Sequence, residues 1–338
     1  MNQDFSSTEQ FYSLLPARVL DSVELCGVRA TGRSLALNSL ENRVYEVEIE
    51  CEPSIDPYER FRVIKFYRPG RWSRDSILDE HGFLRELSDG DVEVVPPVVF
   101  PSDGETLHLL DPEQIWFAVY QKIGGRNLDE LDRERLLQVG RTLARLHAIG
   151  SRKRALHRLD LSGETYVGES HRVLEETGAV PTHLRESYSS LISQAAEYAE
   201  RYIDKKSFIR IHGDFHSGNI LWIGERCKVV DFDDFVNGPP VQDIWLLTPG
   251  RDRETQDARE ILLEGYEQMR EFDRRSLVLV ELLRAMRIIR FHGWIAKRWE
   301  DPSFPRLFTR FQLLEYWNEE MQAVRESLEL FEEAVQLR

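Results

Sequence analysis

Three short apolar stretches, residues 208–211, 221–223 and 228–231, crowd into one part of the chain with helical patterns on either side. Gly224-Glu225 can turn the last two into a hairpin. Strands here and in the first third, beside a larger helical part, give an α+β fold class. The first third is also strand-rich. Tyr45, Val47 and Ile49 alternate with Glu46, Glu48 and Glu50, the period of a half-exposed strand. A polar stretch with Pro53 and Pro57 leads to a second strand over residues 61–67, and residues 115–120 form another that runs into Gly124-Gly125. Between them Ile77, Leu78, Phe83, Leu84 and Leu87 predict a helix over 74–88.

Beyond the glycine pair the period changes to helical. Leu136, Val139, Leu143 and Leu146 share a face that His147 continues, and a histidine there reads as a satisfied core group. From about Asp257 the pattern is helical to the end, strongest over 277–299, where Phe291, Trp294 and Trp299 read as core. Met321, Val324, Leu328, Phe331 and Val335 make 318–338 a docked helix. The expected organisation is a small lobe over 1–120 and a larger helical lobe over 121–338, with a cleft between them. The glycine pair is either their hinge or a surface turn.

Composition narrows the classes of function. With 41% hydrophobic residues the chain is an ordinary globular protein. A net charge of −15 repels nucleic acid and anionic membrane, and mildly favours cationic partners. No apolar run is long enough to span a bilayer, and the opening MNQDFSSTEQFYSLL does not read as a secretory signal. Cys26, Cys51 and Cys227 lie far apart, which argues for a reducing compartment and against a zinc site. The cytoplasm is the expected location.

The chemistry resides in His212-Gly213-Asp214-Phe215-His216-Ser217-Gly218-Asn219, of the form H-x-D-x-x-x-x-N. That is the spacing of a kinase catalytic loop. Phosphoryl transfer needs a carboxylate to take the proton of the attacking hydroxyl, here Asp214, and a neutral oxygen ligand for magnesium, here Asn219. Gly213 and Gly218 permit a tight backbone. Twelve residues after Asn219, an apolar strand ends in Asp231, followed by Phe232, Asp233 and Asp234, and puts a second carboxylate where metal-bound phosphates can meet it. An isolated H-G-D can be a turn and D-F-D-D a solvated loop; their order and spacing together argue for phosphotransfer. Upstream, Val63-Ile64-Lys65 resembles the kinase strand lysine that contacts the α- and β-phosphates, with Glu80 placed on the helix to pair with it. The plain alternative is a snorkelling lysine and a surface glutamate. No glycine-rich phosphate loop is present. In its place stand residues 37–43, LNSLENR, where Ser39, Asn42 and backbone amides can bond phosphate oxygens or merely form a hairpin turn.

With these residues in hand, the chain resembles the stress response kinase A (RdoA-type) family of bacterial proteins, within the aminoglycoside phosphotransferase and choline kinase relatives of the protein kinases. The resemblance runs through residues 37–45, 63–69, 78–81, the catalytic loop, 237–239, 242–245, 283–287 and Arg298-Trp299 with Asp301-Pro302. It implies a protein-kinase-like bilobal fold with a small antiparallel-sheet N-lobe and a larger helical C-lobe. It further implies a cytoplasmic, monomeric serine/threonine protein kinase of a stress response, using ATP and Mg²⁺ and a protein substrate. Asp214 and Asp231 are then the catalytic carboxylates. Asn219 and Asp231 hold magnesium, Ser39, Lys65 and Glu80 serve the nucleotide, and Asp243 supports the catalytic loop. The absent glycine loop departs from protein kinases in general but not from this family. Two alternatives stay open: a small-molecule phosphotransferase acting on an aminoglycoside, choline or homoserine-like alcohol, and a nucleotide-binding scaffold without catalysis. The intact set Lys65, Asp214, Asn219 and Asp231 speaks against the scaffold.

Overall fold

The computed structural model describes Phe11, residues 14–52 and residues 56–337. Pro53, Arg338 and most of the N-terminal stretch read above for a leader lie outside the described residues. The described residues form two compact units, the first holding those within 1–130 and 217–233, the second those within 131–216 and 234–338. Where the sequence pattern suggested one division near residue 120, the chain passes from unit to unit after Glu130, after His216 and after Asp233.

The first unit is built on a five-stranded antiparallel sheet. Its strands are β1 (Ala30–Leu37), β2 (Arg43–Ile49), β3 (Phe61–Phe66), β4 (His108–Leu110) and β5 (Ile115–Gln121), in the order β1-β2-β3-β5-β4. Strand alternation gives β3 two buried faces. Ile64 and Phe66 join Val47, Phe117 and Val119, packed with Val19 and Val23 of helix α1 (Pro16–Glu24). The other face carries Lys65 and Tyr67, and Tyr67 packs with Ala118 and with Ile77 of helix α2 (Arg74–Asp89). Ser73 caps α2 by accepting from the Ser76 amide at 3.1 Å, which fixes where that helix begins beside the strand. Of the alternation expected for β2, Val47 and Ile49 are buried as expected, but Tyr45 and Glu46 are both half-buried, and Glu48 is buried and satisfied by Arg60 and Thr31. Strands β7 (Ile220–Ile223) and β8 (Arg226–Val229) form the expected hairpin over Gly224-Glu225. Gly124-Gly125 is a closely packed segment without regular secondary structure. A Cβ on Gly124 would lie 2.3 Å from the Tyr58 ring, and Gly125 has a φ of +126°.

The second unit is helical, with β6 (Ile209–Ile211) paired to β9 (Val236–Gly238), a strand the sequence pattern did not reveal. The expected three-strand block is thus divided between the two units, and its last member ends at Val229, two residues before Asp231. Helices α3 (Arg133–Gly150), α4 (Glu169–Thr177), α5 (Arg185–Tyr202), α6 (Val241–Leu247), α7 (Arg253–Glu267), α8 (Val280–Lys297), α9 (Ser303–Leu307) and α10 (Leu314–Gln336) complete it. Leu283, Met286 and Ile289 of α8 meet Trp317, Val324 and Leu328 of α10 in the main core. Trp294 and Trp299 pack against that core as expected, whereas Phe291 is 43% exposed and stacks on Trp294. None of the described helices is long and apolar enough to cross a membrane.

Candidate active site

In the first unit, burial of Lys65 forces a charge arrangement around it. Its ammonium lies 2.7 Å from Asp233 and 3.4 Å from Glu80 of α2. Burial alone would push the lysine pKa down; Asp233, then Glu80 and Asp231, outweigh it and hold the pKa above its ordinary value. Lys65 therefore stays charged. Asp233 also pairs with Arg71 at 2.6 Å, and Arg71 with Glu41 at 3.3 Å. The D-F-D segment is anchored because buried Phe232 packs edge-on against Phe83 of α2, with ring centroids 5.9 Å apart.

The loop between β1 and β2 replaces a glycine-rich turn with side-chain bonds. Arg68 donates to the carbonyls of Glu41 and Leu40 at 2.9 and 3.1 Å, and its own amide donates to Asn42 Oδ1 at 3.1 Å. Ser39 Oγ accepts from the Asn42 amide at 3.3 Å and so closes the turn. Arg68, just after β3, and the internal Ser39 bond hold this loop, which explains how it can keep one conformation without glycine.

Asn219 ends a 3-10 turn (Ser217–Asn219) in which Gly218 adopts no positive φ. Asn127 holds the turn, its Nδ2 donating to the carbonyls of Gly218 and Ile220 at 2.7 and 3.1 Å. The ladder of β7 and β8 extends by one bond, from the Val230 amide to the Asn219 carbonyl at 3.0 Å. Asn219 and the residues leading to Asp231 therefore share the open end of the hairpin. Asp231 has a φ of 62°, a left-handed conformation that aspartate tolerates better than most residues.

The second unit presents Asp214. Gly213 has a φ of +82°, and a Cβ there would stand 2.4 Å from the Asp234 carbonyl, so only glycine fits. The amides of His212 and Gly213 each donate to the carboxylate of Asp243 at 2.8 Å. Asp243 is fully buried at the start of α6, and its Oδ2 lies 3.1 Å from Nε2 of His147, whose Nδ1 meets the Tyr266 hydroxyl at 3.0 Å. His147 is the satisfied core histidine that its helix face suggested. Asp214 itself is half-buried. Arg287 Nη2 of α8 donates to its Oδ1 at 2.7 Å, and His216 Nε2 lies 3.5 Å from its Oδ2. Burial works to raise the Asp214 pKa; the His216 hydrogen bond and the Arg287 charge outweigh it and hold the carboxyl well below the usual carboxylate range. It is ionised at neutral pH and able to accept a proton.

The fold thus gathers Lys65 and Glu80 in one cluster and brings Asn219 beside the segment ending in Asp231. Asp214 is aimed by Asp243. Asp233, Arg71, Asn127 and Arg287 were not singled out from sequence; Asp233 is visible in the D-F-D-D run, but which of its aspartates faces Lys65 depends on the packing of Phe232. Among the described residues no group of three or more His, Cys, Asp or Glu side chains is gathered for a metal. The available donors are the Asn219 amide oxygen and the Asp231 carboxylate. Two hard oxygens suit magnesium, which commonly takes one or two carboxylates from a protein and completes its shell with phosphates and water.

Residues 35–278 match the phosphotransferase enzyme family, APH. Stress response kinase A of Escherichia coli (strain K12) is 35% identical over 313 residues, covering 92% of both chains. The Salmonella typhimurium (strain LT2) serine/threonine protein kinase RdoA is 34% identical over 327 residues, 96% of this chain and 95% of that one. Among solved structures, amicoumacin kinase hAmiN in complex with AMP-PNP, Ca²⁺ and Ami superposes with a TM-score of 0.73 at 20% identity, covering 93% of this chain and 95% of that one. The α+β, kinase-like fold expected from the sequence is the fold found.

Proposed function

The chain belongs to the stress response kinase A group of the phosphotransferase enzyme family, and on that premise we propose that it is a cytoplasmic serine/threonine protein kinase of a stress response, using ATP and magnesium. The observation that carries the reading is Asp214, an ionised, half-buried carboxylate on a loop whose amides are held by buried Asp243. A protein acceptor is suggested by the name of the Salmonella relative.

In the proposed step, Asp214 accepts the proton of a serine or threonine hydroxyl as that oxygen bonds the γ-phosphorus of ATP. The bond from the γ-phosphorus to its bridging oxygen breaks, and ADP leaves with that electron pair. Lys65, kept charged by Asp233 and Glu80, is assigned to the nucleotide phosphates, with Ser39 and its loop beside it. Asn219 and Asp231 would hold magnesium, whose charge offsets that of the phosphates. Asp231 is counted with Asp214 as a catalytic carboxylate because it contributes a full charge there.

The test is incubation of the protein with γ-labelled ATP and magnesium, with a purified protein mixture and, separately, a panel of small alcohols. Phosphoserine or phosphothreonine on a protein is the expected product. Saturable turnover of one small alcohol with no labelled protein would replace this reading with the small-molecule one, toward which the fold of amicoumacin kinase points.

A further inference from the structure

Helix α8 lays two arginines one turn apart beside Asp214. Arg287 donates to Asp214 Oδ1 at 2.7 Å while 42% of its side chain stays exposed. Arg290, three residues on, occupies neighbouring helix surface. Its guanidinium lies 4.1 Å from the centroid of the Tyr166 ring and donates to the Thr165 carbonyl at 3.3 Å. Among the described residues no carboxylate forms an ion pair with Arg290. Arg290, Asp234, Arg287 and Asp214 all act electrostatically on the buried Tyr166 hydroxyl, so the five groups share one neighbourhood. Arg284, one turn earlier, is occupied: it pairs with Glu281 at 3.0 Å and lies over Trp245.

This arrangement runs against the net charge of −15 carried by the whole chain. It also occupies the carboxylate oxygen that an acceptor hydroxyl would need. We propose that Arg287 and Arg290 form an anion-recognition site for the acceptor, so that the residues phosphorylated are serines or threonines flanked by aspartate or glutamate. The proposal rests on the protein-kinase reading above. Guanidinium forks match carboxylates in two parallel hydrogen bonds, which an ammonium cannot reproduce. An acidic flank that engages Arg287 draws it off Asp214 and leaves Oδ1 open to the hydroxyl. A cationic acceptor places its ammonium against two guanidiniums and meets repulsion instead.

Three serine peptides that differ only in flanking glutamate, glutamine or lysine decide the matter, with transfer from ATP measured as kcat/KM. The glutamate peptide should exceed the glutamine peptide by about tenfold, the worth of one charge-assisted bond, and the lysine peptide should be poorest. In Arg290→Gln the glutamate-to-glutamine ratio should fall toward one; in Arg290→Lys part of it should return; in Arg290→Glu the order should reverse. Equal use of the three peptides, a lysine preference, or an unchanged ratio in Arg290→Gln overturns the proposal. Fluorescence anisotropy with the labelled glutamate and lysine peptides reads the same preference without turnover. Should no peptide be phosphorylated while a small alcohol is, the protein-kinase reading falls. Glycerate compared with ethanolamine then tests the arginines: preference for glycerate supports an anion site, and preference for ethanolamine sinks it.

Discussion

Lys65 is paired more closely with Asp233, at 2.7 Å, than with Glu80, at 3.4 Å. Asp233 also meets Arg71, so one buried carboxylate balances two cations. Removing it takes the nearer counter-charge from both, leaving Glu80 at 3.4 Å from Lys65 and Glu41 at 3.3 Å from Arg71. Asp233→Ala should lower stability by about 3–5 kcal/mol, the usual cost of breaking a buried pair from one side. Glu80→Gln should be milder, because Lys65 keeps Asp233. Urea denaturation of the two variants checks the order; a larger loss in Glu80→Gln would show that Glu80 is the main counter-charge.

Asp214→Asn should retain the fold and lower phosphoryl transfer by about 10²–10⁴, the range for loss of a positioned general base. Arg287 supplies a second readout. It helps hold the Asp214 pKa below the ordinary carboxylate value, so wild-type activity should not decline on the acid side through Asp214 until pH falls well below that value. In Arg287→Gln the pKa should rise, and the acid limb of the pH–rate profile should move to higher pH. An unmoved limb would remove Asp214 as the titrating base.

Asn219→Ala and Asp231→Ala should both weaken magnesium-dependent nucleotide binding or turnover, Asp231→Ala more severely. A carboxylate brings a full charge to the metal where an amide brings a dipole. Titrations of MgATP into each variant test this, and an unchanged metal dependence in Asp231→Ala would take that residue out of the metal site.

Stability should depend on pH through two buried histidines. Burial, the largest influence on each, lowers the pKa of His147 despite Asp243 and of His292 despite Glu320. The unfolded chain therefore takes up protons first as pH falls. Their contribution is full above about pH 6.5, the ordinary histidine value, and is lost below it. Denaturation at pH 7.5 and 5.5 should show the decline, and His147→Gln with His292→Gln should flatten it. An equal slope in the double variant would assign the decline to other groups.

What the sequence determined by itself is whatever short-range pattern controls. The periods of β2, β3, α2 and α3 follow from alternation and helical spacing, and the H-x-D-x-x-x-x-N loop carries its chemistry in consecutive residues. Gly213 belongs with these, since its φ of +82° is one that glycine adopts without strain. The tertiary structure decided which distant charges meet. Arg287 reaches Asp214 across 73 positions, and Asp243 reaches the His212 amide across 31, through the packing of α8 and α6. Nothing near Arg287 in the sequence signals its partner, and for Asp243 only the family resemblance pointed to the catalytic loop. The choice of Asp233 over Asp231 or Asp234 for Lys65 follows from Phe232 seating on Phe83. β9 is only three residues long, too short to show a period, and exists because β6 offers it a ladder. Local sequence selects conformations, whereas pairing of buried charges and of short strands is settled by desolvation: such groups are stable only where the fold supplies the partner.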